Sequence, residues 1–375
     1  MLNHIKEPDR KYVTLDDINA RRLAEKDVGL FFETYGTKLL IDEFQRVPSI
    51  LLEIKRIVDE KALRGEDNSG MFWLTGSQKF PMMQNVSESL AGRVAVFDMS
   101  SLSASEIEGR SARVFSAEIS KLKEAETTAC HKNIHEIYHD IFRGGMPRLV
   151  TTNIERDRFY ADYINTYLER DIKDLSQVGK LSEFYDFLVL LAARTAQELK
   201  YDELAKAVGV SSPTIKNWVS ILERSGIIVI LRPYATTLTN RIVKTPKIYF
   251  MDTGLCAYLC RWPTSETLEN GAMDGAFLET YVVSEIIKSY YNAGKRIDLY
   301  YYRDINQKKI DLLVDGGDKL YPIEIKKAKN PSHADKNLDV LTIFKKQVEP
   351  AVIICLSDEL IPYSRNAWLC PISLI

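Results

Sequence analysis

A short apolar run that ends in two carboxylates constrains this chain more than any other stretch. Residues 39–41 are all leucine or isoleucine, and Asp42 and Glu43 follow them directly. A continuous apolar run of this length is typical of a strand buried in a parallel sheet. Ligands of open α/β sheets bind at the carboxyl edge of the strands, where these two acids would lie. The alternative is a core strand followed by a solvated acidic turn.

Two adjacent acids at a strand end suit one kind of chemistry in particular. In sites that hydrolyse nucleotides, an acid of this kind holds Mg²⁺ and the next one polarises water. The stretch therefore has the form of a Walker B strand. In this interpretation Asp42 is the metal ligand, and Glu43 is the catalytic residue that activates water.

Polar residues follow a second apolar strand, which is predicted over residues 71–74. Ser77 or Gln78 is expected to contact a γ-phosphate or the attacking water, and Thr75 is the alternative. Arg93 comes directly after a glycine on a tight connection, which suits a charge that senses phosphate. The alternative for Arg93 is a surface ion pair. Residues 94–99 are predicted to form another strand.

These stretches, taken in order, resemble a known family. Prokaryotic AAA-type ATP-binding proteins with a C-terminal domain of unknown function 4143 carry similar motifs, here Leu15-Asp-Asp, Leu-Leu-Ile-Asp-Glu-Phe-Gln, Leu-Thr-Gly-Ser-Gln and Ser-Leu-Ala-Gly-Arg. The resemblance covers nearly the whole chain. It implies an ATP-driven switch that uses ATP and Mg²⁺. Proteins of this class often work as rings in which an arginine acts across subunits.

The sequence departs from that family in one respect. It contains no Gly-x-x-x-x-Gly-Lys-Thr segment, the P-loop whose backbone N–H groups and lysine bind the β- and γ-phosphates. We therefore expect a chain that lacks the first strand, P-loop and first helix of the family. A truncated reading frame, a decayed gene and a mis-called start are the open explanations. ATP hydrolysis is expected to be impaired or absent in such a chain.

Composition limits the compartments and the binding partners that we expect for this protein. The 50 basic and 52 acidic residues nearly cancel, so no overall basic charge argues for nucleic acid. The five cysteines lack the pairing of a zinc site and are expected to be free thiols in a reducing, cytoplasmic compartment. No signal peptide or membrane-spanning run is expected. Nucleic acid, a protein partner and a homo-oligomer remain the open partners.

The pattern predicts an α/β multidomain chain in four segments. Residues 1–106 would form a partial P-loop-type parallel α/β core, and residues 107–181 a helical lid and a Gly- and Pro-rich linker at 142–148. Residues 182–250 would form a winged helix. Residues 251–375 would form a restriction-endonuclease-like α/β domain.

The predicted winged helix offers a candidate DNA surface. Its helices would span residues 184–193, 201–208 and 213–224, and a hairpin of 227–231 with 247–250 would form the wing. The candidate contacts to DNA phosphates are Thr214, Lys216, Asn217, Arg241 and Lys244. The alternative is a surface for domain packing or for a protein partner.

The C-terminal segment carries a second group of candidate catalytic and metal-binding residues. Its predicted order is a helix, three strands, a helix over 335–346 and a fourth strand, and this order resembles the PD-(D/E)xK nuclease superfamily. Glu324 and Lys326 share one face of a strand, and Asp311 can meet them from the preceding strand. Glu279 could add a carboxylate from the helix. Two carboxylates and a lysine can hold Mg²⁺ and orient water against a phosphodiester. A degenerate, non-catalytic nucleic-acid-binding module is the alternative.

Overall fold

The computed structural model describes residues 5–76, 89–111, 113–167, 181–235, 245–304 and 306–375. It divides into two compact units, Met1–Val96 and Phe97–Ile375. Within the described ranges, no helix is both long and apolar enough to cross a membrane. The domain boundaries predicted at residues 106, 181 and 250 stay predictions.

A parallel three-stranded sheet forms the centre of the first unit. Its order is β1-β2-β3, so that β2 lies in the middle. The strands are β1 (Lys11–Thr14), β2 (Leu39–Asp42) and β3 (Phe72–Leu74). The helices are α1 (Ile18–Lys26), α2 (Val28–Tyr35) and α3 (Ile50–Leu63), with a 3₁₀ turn at Phe44–Arg46. The predicted parallel α/β core is therefore confirmed at this level.

Local sequence signals explain where the helices of this unit begin and end. Asp17 is the N-cap of α1 and accepts hydrogen bonds from two backbone N–H groups, and Asp27 does the same for α2 with one. Gly36 follows α2 with φ of +85°, which lets the chain turn sharply toward β2. One face of the sheet packs into an apolar core that includes Val13, Ile41 and Phe31.

The strand predicted over residues 94–99 does not form. The structure assigns no regular element there, and Val94, Val96, Phe97 and Met99 are all exposed. A strand needs cross-strand neighbours and a buried face, and no strand in the described ranges pairs with this segment. The prediction of a strand at residues 94–99 was therefore wrong.

Helices and one extensive apolar core dominate the second unit. Buried residues from Phe115 to Leu374 belong to this core. The helices are α4 (Ala104–Ile107), α5 (Ile119–Glu126), α6 (Ile134–Arg143), α7 (Pro147–Thr151), α8 (Arg156–Tyr167), α9 (Leu181–Ala192), α10 (Tyr201–Val208), α11 (Ser212–Arg224), α12 (Thr253–Leu259), α13 (Ser265–Glu269) and α14 (Asp274–Asn292). Within the segment predicted as a helical lid, described stretches without regular structure separate α4, α5 and α6.

A small hairpin follows helices α9 to α11. Strand β4 (Ile228–Leu231) pairs antiparallel with β5 (Lys247–Phe250). Ser211 is the N-cap of α11 and accepts a hydrogen bond from the backbone N–H of Thr214. Trp218 on α11 packs against Phe184 and Phe187 of α9, which fixes the two helices together.

A seven-stranded mixed sheet ends the chain. Its order is β11-β12-β10-β8-β7-β6, and β9 pairs with β8. The strands are β6 (Leu299–Arg303), β7 (Lys309–Asp315), β8 (Lys319–Ile325), β9 (Gln347–Val348), β10 (Ala351–Cys355), β11 (Ile361–Ser364) and β12 (Ala367–Pro371). The antiparallel pair β7–β8 places Leu312 opposite Ile323, which sets Asp311 beside Glu324.

The helix predicted over residues 335–346 is reduced to one 3₁₀ turn at Leu338–Ile343. Val340, Thr342 and Ile343 are β-branched, and such residues lose side-chain freedom in a helix. The backbone is already extended again at Phe344. The apolar spacing of this stretch therefore buries Val340 and Leu341 without a long helix.

Candidate functional site

Asp42 lies at the carboxyl end of the middle strand of the first sheet. Its side chain accepts hydrogen bonds on both oxygens from residues of the two neighbouring strands and their ends. Thr75 Oγ1 donates to Oδ1, and the phenol of Tyr12 donates to Oδ2 over 3.0 Å. The carboxylate is half-buried. The sheet therefore holds Asp42 in a defined orientation at the edge where ligands of parallel sheets bind.

Glu43 occupies a strained position beside Asp42. Its backbone is left-handed, with φ of 55° and ψ of 38°, a region that few residues other than glycine adopt. Gln45 Nε2 donates a hydrogen bond to Glu43 Oε2. A carboxylate can only accept this bond, so the amide orientation of Gln45 is fixed and its Oε1 atom points elsewhere. That Oε1 atom is buried without a hydrogen-bond partner among the described residues.

The other residues predicted for this site do not all lie beside Asp42 in the described structure. Ser77 and Gln78 lie outside the described residues. Thr75, the alternative for the same role, contacts Asp42 as described above. Arg93 pairs with Asp59 on α3, with Nε 2.5 Å from Oδ1 and Nη2 3.1 Å from Oδ2. This is the surface ion pair that was the alternative interpretation of Arg93.

The donors around Asp42 fit a magnesium ion. Mg²⁺ prefers oxygen ligands and usually binds one or two protein carboxylates together with water and substrate phosphates. Asp42, Thr75 and Tyr12 present only oxygen atoms. No group of three His, Cys, Asp or Glu side chains in the described part of the chain could hold a metal alone. A cation at Asp42 would therefore complete its shell with water or phosphate oxygens.

Asp311, Glu324 and Lys326 form a second, buried cluster on β7, on β8 and directly after β8. Lys326 Nζ lies 3.1 Å from Asp311 Oδ2 and 2.6 Å from Glu324 Oε2. Both carboxyl groups are almost fully buried, at 3% and 4% exposure. Asp311 Oδ1 and Glu324 Oε1 have no hydrogen-bond partner in the described ranges, although Lys309 lies 3.5 Å from Asp311 Oδ1.

The two carboxyl groups of this cluster differ in protonation. Burial and the negative charge of Asp311 raise the pKa of Glu324 to about 8. Burial also opposes the ionisation of Asp311, but the charges of Lys326, Lys309 and Lys247 lower its pKa to about 2. Burial disfavours the Lys326 cation, yet the two acids raise the pKa of Lys326. At neutral pH the cluster therefore holds one proton on Glu324, one carboxylate and one ammonium.

Glu279 does not add a third carboxylate to this cluster. Its Oε1 atom accepts hydrogen bonds from Lys247 Nζ at 2.8 Å and from the Tyr249 phenol at 2.7 Å. No three His, Cys, Asp or Glu side chains in the described ranges come together here as metal ligands. Glu279 therefore ties α14 to β5.

The described DNA-contact candidates lie on α11. Lys216 and Asn217 are exposed, and Lys216 Nζ lies 5.6 Å from the centre of the Tyr201 ring. Thr214 is half-buried, and its hydroxyl lies 2.8 Å from that of Ser211 in the helix cap. Arg241 and Lys244 lie outside the described residues. Lys216 and Asn217 are thus the two described candidates on the solvent face.

Sequence reasoning missed the parts that Tyr12, Gln45, Lys309 and Lys247 play in these two sites. Tyr12 reaches Asp42 because β1 pairs in parallel with β2, with Tyr12 beside Leu40 and Thr14 beside Asp42. This register is a tertiary property that one sequence does not show. Gln45 is two residues from Glu43, so its proximity was a usable signal. Lys247 is far from Asp311 in the sequence and offered none.

The first unit thus has the form of a nucleotide-binding α/β core, in which a parallel sheet ends in an oriented carboxylate. Residues 1–108 match the family described as an AAA domain, and residues 274–375 match the domain of unknown function DUF4143. Residues 134–266 match another domain of unknown function, DUF8612. The chain thus carries an AAA domain followed by a C-terminal DUF4143 region, and the predicted resemblance is confirmed.

Curated relatives of this chain have no stated function. The uncharacterized proteins Rv2008c of Mycobacterium tuberculosis and Mb2031c of Mycobacterium bovis are each 25% identical over 328 residues. The match covers 87% of this chain and 66% of each relative, so the chain spans about two thirds of their length. A comparison with solved structures matches this chain to the crystal structure of protein VC1899 from Vibrio cholerae, at 11% sequence identity. The match covers 96% of this chain and 94% of the VC1899 chain, with a TM-score of 0.19. That score does not define a shared fold.

Proposed function

We propose that this protein is an ATP-dependent switch of the AAA class, with its nucleotide site at the carboxyl edge of the β1-β2-β3 sheet. The observation that carries the proposal is the position of Asp42, at the end of the middle strand with a hydroxyl donor on each oxygen. The match of residues 1–108 to an AAA domain supports it. The second unit would be the output part of the switch.

Each residue of the edge has a distinct role in this proposal. Asp42 would hold Mg²⁺, and the bound cation and ATP supply the phosphoryl group and neutralise its charge. Glu43 would accept a proton from the attacking water at its carboxylate. Gln45 holds Glu43 through the amide hydrogen bond, and its buried Oε1 atom is an acceptor that a water molecule could use.

The remaining predicted roles stay part of the proposal. Ser77 or Gln78 would contact the γ-phosphate. Arg93 would stabilise phosphate charge, which requires its ion pair with Asp59 to open. Exposed ion pairs of this kind contribute little free energy, so opening costs little.

A steady-state ATPase assay with Glu43→Gln tests this proposal. We expect slow Mg²⁺-dependent hydrolysis by the wild-type chain, because its sequence has no P-loop segment. In the variant we expect a further loss of at least about 100-fold in kcat, because the amide cannot accept the proton. Glu33→Gln, an exposed change on α2, is the matched control and should keep full activity. Absence of hydrolysis in the wild type, or equal rates in both glutamate variants, would contradict the proposal.

A second candidate function rests on the buried cluster of Asp311, Glu324 and Lys326. We propose a metal-dependent phosphodiester-cleaving site, or a degenerate form of one, within a restriction-endonuclease-like domain. Two buried carboxyl oxygens without hydrogen-bond partners are the supporting observation, because such atoms are costly unless they bind a cation or a water. Lys326 would orient the water. Glu279 would enter the site only after leaving Lys247 and Tyr249.

The same proposal gives the neighbouring helices a nucleic-acid role. Helices α9 to α11 followed by the β4–β5 hairpin have the order of a winged helix. Lys216 and Asn217 on the exposed side of α11 would contact DNA phosphates, with Thr214 at its N-terminus and with Arg241 and Lys244 beyond the described residues.

A nuclease assay with Lys326→Ala separates the two candidate functions. With Mg²⁺ or Mn²⁺ and labelled single- and double-stranded DNA, we expect cleavage that falls at least about 100-fold in the variant. Lys329→Ala, an exposed lysine paired with Asp358, is the control. Asp42→Asn should leave cleavage intact. Cleavage that survives Lys326→Ala, or no cleavage by the wild type, would count against an active nuclease.

A further inference from the structure

Tyr12 is an exposed aromatic residue with an unusually specific contact. The residue is 43% exposed on β1, yet its hydroxyl donates to Asp42 Oδ2 across to the neighbouring strand over 3.0 Å. Thr75 holds the other oxygen of Asp42 from the opposite side. The carboxylate is therefore flanked by one hydroxyl from each neighbouring strand.

The register of the sheet places Tyr12 where its hydroxyl can contact Asp42. In the parallel pairing, Thr14 lies beside Asp42 and Tyr12 lies beside Leu40. Residues two apart on a strand share a face, so Tyr12, Thr14 and Asp42 all lie on one side of the sheet. A tyrosine is long enough to reach from position 12 to the strand edge, whereas Thr14 is short. The Tyr12 hydroxyl can therefore contact the Asp42 carboxylate while Tyr12 remains part of strand β1.

Two hydroxyl donors on one carboxylate have a predictable effect on a cation site. Each oxygen keeps a lone pair for a metal, while the two hydrogen bonds hold the carboxylate in one orientation. Hydrogen-bond partners of metal-ligating carboxylates typically contribute 10- to 100-fold to metal affinity. A tyrosine that served only the core would be buried, whereas Tyr12 is exposed.

We propose that Tyr12 is a positioning residue for the divalent cation at Asp42, a role that rests on the nucleotide site proposed above. Its hydroxyl fixes Asp42 Oδ2 from β1 as Thr75 fixes Oδ1 from the end of β3. Tyr12 is not catalytic, because it acts through Asp42.

The test measures Mn²⁺ binding to the full chain in the presence of ATP, by electron paramagnetic resonance of the free ion. Tyr12→Phe keeps the ring and removes only the hydroxyl, and we expect about 10-fold weaker Mn²⁺ affinity. Tyr35→Phe on α2 is the matched control and should bind as the wild type does. Asp42→Asn should abolish this binding. Thermal unfolding of each variant checks that it is folded.

A second readout locates the cation directly. We expect the ¹⁹F resonance of 3-fluorotyrosine placed at position 12 to broaden on addition of Mn²⁺ and ATP, and to stay sharp in the Asp42→Asn background. A merely structural role of Tyr12 would not produce the weaker Mn²⁺ affinity that we expect for Tyr12→Phe.

The outcomes distinguish this inference from the function on which it rests. Equal Mn²⁺ affinity in wild type and Tyr12→Phe, with binding lost in Asp42→Asn, overturns the role of Tyr12 and leaves the nucleotide site standing. No Mn²⁺ binding by the wild type, or binding that survives Asp42→Asn, overturns both.

Discussion

Glu324 and Asp311 show how one site can keep two neighbouring carboxyl groups in different protonation states. Both are buried, but three lysines act on Asp311, whereas Glu324 faces the Asp311 charge. Two carboxylates this close and this buried cannot both ionise cheaply, so the proton remains on the one with the weaker support. In the metal-free protein the cluster is therefore close to neutral at pH 7.

This difference predicts a pH dependence of stability. The pKa of Glu324 is raised in the folded state from 4.5 to about 8, so the folded state binds the proton more tightly. The free energy of unfolding from this group is greatest below pH 4.5 and falls as the pH rises toward 8. The slope is at most about 1.4 kcal/mol per pH unit. Urea denaturation at several pH values, with EDTA present, measures it.

The neutral isostere Glu324→Gln should remove that decline, because it cannot ionise. Glu359→Gln, at an exposed position of the same unit, should keep the wild-type pH profile. Parallel profiles for wild type and Glu324→Gln would show that Glu324 is already ionised at low pH, contrary to the raised pKa.

At the scale of single elements, Asp252 joins three parts of the second unit. It is the N-cap of α12, and its Oδ1 atom accepts from the Leu255 N–H and the Tyr160 phenol, each over 2.8 Å. Its Oδ2 atom accepts from the Gly145 N–H over 2.9 Å. Gly144, with φ of +77°, packs so closely here that a Cβ atom would collide with Tyr160 and Asp252.

We predict that Asp252→Asn destabilises the second unit by about 2 kcal/mol or more. The asparagine amide turns an N–H donor toward one of three donors, so a buried hydrogen bond is lost and a polar group is left unpaired. Ser211→Asn exchanges one favourable N-cap residue for another on exposed α11 and should cost less than about 0.5 kcal/mol. Equal losses of unfolding free energy in the two variants, measured by chemical denaturation, would refute this account of Asp252.

Elements with strong local signals could be predicted from the sequence, and elements that depend on distant partners could not. The apolar period predicted a helix over residues 213–224, and α11 begins one residue earlier, at Ser212. Glycine and proline content predicted a linker at 142–148, yet Gly144 and Gly145 lie in a close-packed junction. Residues 94–99 have the composition of a strand but no neighbour to pair with.

The candidate sites divide in the same way. Asp42 and Glu43 were visible because an apolar run ends at them, and Glu324 and Lys326 because strand alternation puts them on one face. The contacts of Tyr12 with Asp42 and of Lys247 with Glu279 depend on sheet register and helix packing. A single sequence does not reveal these two contacts, because they form only when the complete fold is in place.

At the scale of the whole molecule, the two units have separate apolar cores. The core of the first unit runs from Val13 to Leu90, and the large core of the second runs from Phe115 to Leu374. Among the described residues, these two clusters share no member. Cooperative unfolding follows shared packing, so each unit should open as its own cooperative block.

Hydrogen exchange with mass spectrometry tests this prediction with two matched variants. Phe31 and Phe277 are both fully buried, and each Phe→Ala change should cost about 3–5 kcal/mol in its own unit. Phe31→Ala should speed amide exchange in β1 to β3 and leave β7 and β8 unchanged, and Phe277→Ala should do the reverse. Faster exchange in both units from either variant would show a single cooperative block.

The most direct test of the central claim is Mg·ATP binding to the full chain by isothermal calorimetry, with Asp42→Asn as the comparison. If the carboxyl edge of the first sheet is a nucleotide site, the wild type binds Mg·ATP in the micromolar range. The variant, which keeps the shape of the side chain but loses its charge, then loses that binding. Wild-type binding that is absent, or that is equal in Asp42→Asn, would contradict the assignment of a nucleotide site to this edge.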